Sequence, residues 1–187
     1  MWHFGNAFDD GDDVVVDFSW WDGFSLASDP NRQGAFVQAR FSPGAGTASL
    51  TKLDDVKSEF ARIDDRLCGQ RHRYVTVSTK SGSIDALLSG EFDRLVRHDM
   101  QTGEAVSHDL GLVFGEVVHA ARAGAPVGAG DPELDGWYLT WASEPDASAT
   151  YPVVWDAQEF PSAPIAKVRM PHRVPNGLHG NWLSAED

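Results

Sequence analysis

Short runs of β-branched and aromatic residues, each closed by a turn signal, recur along this chain at roughly ten- to twenty-residue intervals, which points to an all-β fold. Val14-Val15-Val16-Asp17-Phe18-Ser19-Trp20 is the clearest of them. Ala35 to Phe41 and Ala48 to Leu53 read as strands on either side of the Pro43-Gly44 turn. Tyr74 to Ser78 alternates β-branched with polar residues. Leu95 to Asp99 and Ala105 to Leu110 flank Met100-Gln101-Thr102-Gly103 as a hairpin, with Gly103 free to take a positive φ. Leu112 to His119 is expected as a further strand. The last third reads as a meander of Gly136 to Trp141, Tyr151 to Asp156 and Ile165 to Met170, the last with the period of two that a strand requires. A single turn at Phe24 to Ala27 is the one helix candidate. Gly124 to Gly130 reads as a flexible loop inside one domain rather than a linker. A sandwich, a barrel and a propeller all fit this pattern.

Composition narrows the function classes. Asp plus Glu number 28 against 15 Lys plus Arg, a formal charge of −13 that repels phosphate backbones and argues against nucleic acid as a partner. Seven Trp and ten Phe supply enough apolar surface for a core or an apolar cleft. The one cysteine, Cys68, excludes an internal disulfide and fits a reducing cytoplasm; it is expected to be buried or inert, although His72 stands four residues on. No basic segment leads into an apolar run at the N-terminus, and no apolar stretch approaches the roughly 20 residues needed to span a bilayer. A cytoplasmic protein is expected, with peripheral membrane association left open.

Two histidines sit in distinctive frames near the chain ends. The first frame is Met1-Trp2-His3-Phe4-Gly5-Asn6-Ala7-Phe8-Asp9-Asp10-Gly11, and the second is Arg173-Val174-Pro175-Asn176-Gly177-Leu178-His179-Gly180-Asn181-Trp182. Between them stand Glu59-Phe60-Ala61-Arg62-Ile63-Asp64-Asp65-Arg66 and Phe114-Gly115-Glu116-Val117-Val118. In this order the four segments resemble those of the carotenoid cleavage oxygenases, and the resemblance extends over nearly the whole chain. Ala61 and Val117 stand where that family usually has proline.

The resemblance implies a partial β-propeller, the C-terminal blades of a seven-bladed ring, with residues 1–187 forming the C-terminal portion of one propeller domain. It implies that His3 and His179 are two of four histidine ligands to a catalytic Fe(2+), the other two being expected upstream of Met1. It gives Glu59 and Glu116 to the outer ring nitrogens of His3 and His179 respectively. The types suit the chemistry: ferrous iron accepts neutral imidazole nitrogen, and a carboxylate on the other ring N–H fixes the tautomer and aims the metal-binding lone pair. The implied reaction inserts both atoms of O2 across a conjugated C=C bond of an apolar polyene or stilbenoid, with Phe4, Phe8, Trp20, Trp21 and Trp182 as candidate tunnel residues, although such aromatics more often belong to the core. The missing N-terminal half would be supplied in trans or belong to the same polypeptide. An inactive remnant and a non-catalytic propeller-type binding module are the alternatives.

Other polar groups carry blander readings. His98 and His108 could face each other across their hairpin, as a solvated pair before a metal site. Asn6 is expected to serve structure. Asp9, Asp10, Asp12 and Asp13 read as an acidic turn rather than a calcium loop.

Overall fold

Among the described residues, twelve strands account for the alternating runs, and they form three consecutive four-stranded antiparallel meanders. The computed structural model describes residues 3–23, 34–85, 87–88, 90–177 and 179–184, and Phe24 to Ala27 lies outside them. The first meander is β1 (Phe4–Asp10), β2 (Asp13–Trp21), β3 (Gly34–Ser42) and β4 (Thr47–Lys52). The second is β5 (Ser58–Arg62), β6 (Tyr74–Thr79), β7 (Phe92–Asp99) and β8 (Ala105–Phe114). The third is β9 (Val118–Ala121), β10 (Gly136–Ser143), β11 (Thr150–Asp156) and β12 (Ala166–Lys167). Each meander is one blade, and this is the partial propeller that the resemblance implies.

The blades stack through apolar faces. Phe36 of the first blade packs with Ala61, Ile63, Leu67, Val75 and Val77 of the second, all nearly inaccessible to water. Phe60, Phe92, Leu95 and Phe114 of the second blade pack with Tyr138, Val153 and Trp155 of the third. Burying a side chain of this size contributes about 1.5–3 kcal/mol, so the two inter-blade layers dominate the cohesion of the arc. The blades also join through backbone, because the end of β10 pairs with the end of β8 at Ala142↔Phe114 and Ser143↔Val113.

The structure differs from the strand pattern in four places. β1 and β5 carry Gly5, Asn6, Ala7 and Ser58, Glu59, Ala61, residues of low strand propensity that pairing nevertheless recruits. β8 runs through Gly111, which takes φ +69°, to Phe114, so the expected strand Leu112 to His119 is split between β8 and β9. Gly115 to Val117 leaves the ladder there, with Ser78 Oγ donating to Gly115 O (2.9 Å) and Thr140 Oγ1 to Glu116 O (2.7 Å). The expected strand Ile165 to Met170 shrinks to β12, since Pro152 in β11 has no N–H to give the ladder. Irregular bonds continue it, from Val168 N to Pro152 O and from Met170 N to Thr150 O.

The hairpin register also overturns both readings of His98 and His108. His98 lies opposite Ala105 and His108 opposite Leu95, so the rings do not face each other. His98 is buried with Nε2 3.1 Å from Asp54, and His108 donates through Nδ1 to Pro161 O at 3.0 Å. Cys68 is exposed rather than buried. His72 instead turns inward between Asp17 (3.1 Å) and Asn6 (3.0 Å). Asn6 does serve structure: its amide donates to Leu67 O and Gln70 O and accepts from Gly69 N–H. Asp10 and Asp13 hold Arg40, and Asp10 also holds Arg71, so these carboxylates of the acidic turn are paired with arginines.

Candidate functional site

His3 lies just before β1, Glu59 is in β5 and Glu116 lies two residues before β9, so the first strand of each blade delivers one member of the site. The first strands are therefore arranged around a shared edge of the arc. His3 is fixed by its main chain, whose carbonyl accepts from Ser19 N–H (2.9 Å) and continues the pairing of β1 with β2. His179 follows the last strand, on a segment beyond the end of the third blade's ladder. That segment is tied down by Thr150 Oγ1, which contacts both O and N of Val174 (3.2 Å each), and by Asn176, which bridges Ser143 Oγ and Glu91 Oε1 (3.0 Å each).

The structure brings the two histidine frames together. The imidazoles of His3 and His179 meet edge to face with centroids 5.0 Å apart. Phe60 is wedged behind both, 4.8 Å from His3 and 5.4 Å from His179, and leans on Phe92 (5.6 Å). His3 Nδ1 is 2.6 Å from Glu59 Oε2 in a half-buried contact. With the proton of a neutral ring held on Nδ1 by that carboxylate, the lone pair resides on Nε2. His179 Nδ1 lies 3.7 Å from Glu116 Oε1, beyond hydrogen-bond reach, and Gly180 N–H donates to Glu116 Oε2 at 2.8 Å instead. His179 is the more open ring, with 59% of its side chain accessible against 24% for His3.

A bulge in β5 builds this arrangement. Glu59 pairs with Ser78 and Arg62 with Thr76, so three steps along β5 match two along β6. The extra residue falls at Phe60-Ala61, and Phe60 takes φ +54°, a left-handed conformation that costs a side-chain-bearing residue about 1–2 kcal/mol. In a regular strand Glu59 and Arg62, three apart, would point to opposite faces. The bulge returns Arg62 to the face of Glu59, where its guanidinium reaches Glu116 Oε1 (3.2 Å), Asp65 Oδ2 (2.8 Å) and Gly180 O (3.3 Å). Sequence reasoning did not single out Arg62 or Phe60. The signal was their place in the Glu59 segment, but only the bulge gives it meaning.

A pocket of about 360 Å³ opens at the site, lined among others by His3, Phe4, Ala61, Arg62, Glu116 and Asn181. Of the candidate tunnel aromatics only Phe4 borders it. Phe8 packs on His72 (5.5 Å) on another side of the blade, Trp20 belongs to the apolar cluster of the first blade, the Trp21 ring covers Gly34, and Trp182 is exposed. Among the described residues no group of three or more His, Cys, Asp and Glu side chains could hold a metal ion, so these residues offer a metal two imidazoles. The donors fit ferrous iron in kind: two imidazoles whose rings meet edge to face, one with a carboxylate on its far nitrogen.

The family model of the retinal pigment epithelial membrane protein (RPE65) matches residues 1–184, and the chain belongs to this family of carotenoid cleavage oxygenases. The carotenoid cleavage oxygenase of Mycobacterium tuberculosis is 33% identical over 142 residues, which are 74% of this chain and 26% of that protein. The lignostilbene dioxygenase of Pseudomonas brassicacearum superposes with a TM-score of 0.85 at 22% identity, over 97% of this chain and 41% of that one. A cobalt-substituted apocarotenoid oxygenase of Synechocystis superposes with a TM-score of 0.83 at 21% identity, over 98% of this chain and 39% of that one. The chain thus spans between about a quarter and two fifths of these relatives. Among the described residues no helix is long and apolar enough to cross a membrane.

Proposed function

We propose that this chain forms the C-terminal part of a non-heme ferrous dioxygenase that cleaves a conjugated C=C bond of a carotenoid, apocarotenoid or stilbene-like substrate with O2. One double bond and one O2 are consumed, and two carbonyl fragments leave. The single observation that carries this reading is the convergence of His3 and His179, 176 positions apart, on one Phe60 wedge, each ring with a glutamate from a different blade beside it. Chance placement of two histidines would not bring both rings onto one phenylalanine with a carboxylate near each.

His3 and His179 would hold the iron, together with two imidazoles from polypeptide outside these 187 residues. Bound ferrous iron would supply the activation of dioxygen. Glu59 keeps the His3 proton on Nδ1 and so keeps Nε2 basic. Glu116 holds the His179 segment through the Gly180 amide. Phe60 stops both rings from turning away, and exposed Phe4 offers the pocket an apolar wall suited to a polyene. The outward face of the third blade supports further blades beyond it: Trp137, Leu139, Trp141, Val154 and Val168 share that face, and none of them is fully buried.

The test is oxygenation in ¹⁸O2 of an apocarotenoid and of a hydroxystilbene by this chain co-produced with the propeller blades of a relative that it lacks. The reading expects carbonyl products labelled from dioxygen, abolished by His3→Ala or His179→Ala. Cleavage that survives either substitution would contradict it.

A further inference from the structure

Arg62 links parts of the site that lie 118 and 119 positions apart in sequence. It sits on β5, three residues after Glu59, with 19% of its side chain accessible. Nη1 lies 3.2 Å from Glu116 Oε1 and 3.3 Å from Gly180 O, while Nη2 lies 2.8 Å from Asp65 Oδ2 and 3.4 Å from Asn181 Oδ1. One planar group thus ties β5, the turn before β9 and the segment carrying His179. Asp65 holds the guanidinium from the other side, which keeps the fork aimed. The Glu116 oxygen is nearer to Arg62 (3.2 Å) than to His179 Nδ1 (3.7 Å). What fixes His179 is therefore the backbone at Gly180, gripped by Glu116 at N–H and by Arg62 at C=O.

We propose that Arg62 is a positioning residue that clasps the His179 segment onto β5 and so sets the approach of the His179 ring to His3. The proposal rests on the reading of the two histidines as metal ligands. Without the clasp, the described residues between Gly177 and Asn181 keep the Glu116–Gly180 bond as their hydrogen bond to the site, on a carboxylate freed to turn. Its anchors at Val174 and Asn176 lie three or more residues from the ring. Lysine can replace one contact of the fork but not both branches at once.

The test uses the 187-residue chain with Arg62→Met and Arg62→Lys. Hydrogen exchange at the Gly180 amide reads the clasp directly, and cobalt(II) titration followed by visible absorption reads the approach of the two rings. Exchange at Val77 and Leu95, buried in the inter-blade layers, reports whether the fold persists. With Arg62→Met, Gly180 protection should fall by roughly tenfold, the worth of about one lost hydrogen bond, and cobalt affinity should fall with it. Arg62→Lys should recover part of both. Unchanged Gly180 protection in Arg62→Met, with the core intact, overturns the clasp. Lost protection with unchanged cobalt affinity overturns the positioning role, provided His3→Ala weakens binding. If the unmodified chain takes up no cobalt through His3 and His179 even when co-produced with the propeller blades it lacks, the reading of the site fails and the positioning role falls with it, while Gly180 exchange still decides whether the clasp exists.

Discussion

Phe60 gives a prediction whose sign, not only its size, is set by the structure. Its ring is 3% accessible, packs on Phe92 and backs both imidazoles, while its backbone sits at φ +54°. Truncation to alanine removes the ring and costs about 3–5 kcal/mol. Glycine removes the same ring but escapes the left-handed penalty, worth about 1–2 kcal/mol for an L side chain. Against that, glycine loses more backbone entropy than alanine on folding, about 0.5–1 kcal/mol at an ordinary strand position. At the middle of both ranges the difference leaves Phe60→Gly more stable than Phe60→Ala by about 0.7 kcal/mol, the reverse of the usual strand order. Urea unfolding of the two variants, followed by tryptophan fluorescence and compared at a common m-value, measures it. A glycine variant less stable than the alanine variant would refute the left-handed bulge, and with it the account of how Glu59 and Arg62 reach one face.

Other expectations follow from the same contacts. Glu59→Gln keeps the shape of the 2.6 Å contact to His3 but removes its charge, and cobalt(II) affinity measured by titration should fall roughly 10- to 100-fold. Gly136→Ala would put a Cβ 2.4 Å from Ala120 O and 2.8 Å from His119 Nε2, and its urea midpoint should drop by the equivalent of about 1–3 kcal/mol. The Arg73 guanidinium holds the Asp99 carboxyl down at about 2. Burial pushes Asp64 up, but His119 and Arg66 outweigh it and leave this carboxyl well below its ordinary value. Both groups have folded pKa values below the unfolded value of about 3.9, so their contribution is complete above that pH and is lost as pH falls toward the folded values. The urea midpoint should therefore decline between about pH 4 and pH 2, less steeply in Asp99→Asn.

How far the sequence could be read depended on whether local propensity and pairing agreed. β2 and β10 announce themselves because Val14 to Val16 and Trp137 to Trp141 favour a pleated, half-buried surface on their own. β1 and β5 do not, since Gly5, Asn6, Ala7 and Glu59 become strand only through the ladders of β2 and β6. The His3 and His179 frames were legible because flanking residues, not the histidines, make them distinctive. The register of the β7–β8 hairpin was hidden, and with it the separation of His98 from His108. Arg62 was hidden more deeply: alternation along a regular strand puts it on the face opposite Glu59, and nothing in Phe60 or Ala61 signals an extra residue. Trp20 and Trp21 follow the commoner of their two readings, since an aromatic residue near a site in sequence more often packs than lines a cavity.

The central claim is that His3 and His179 address one metal ion. The most direct measurement is the number of imidazoles around cobalt(II) bound to the 187-residue chain, read by X-ray absorption fine structure. The account predicts two imidazoles in the unmodified chain, one in His3→Ala and one in His179→Ala, with both kept in His98→Ala. An imidazole count that neither His3→Ala nor His179→Ala changes would contradict it.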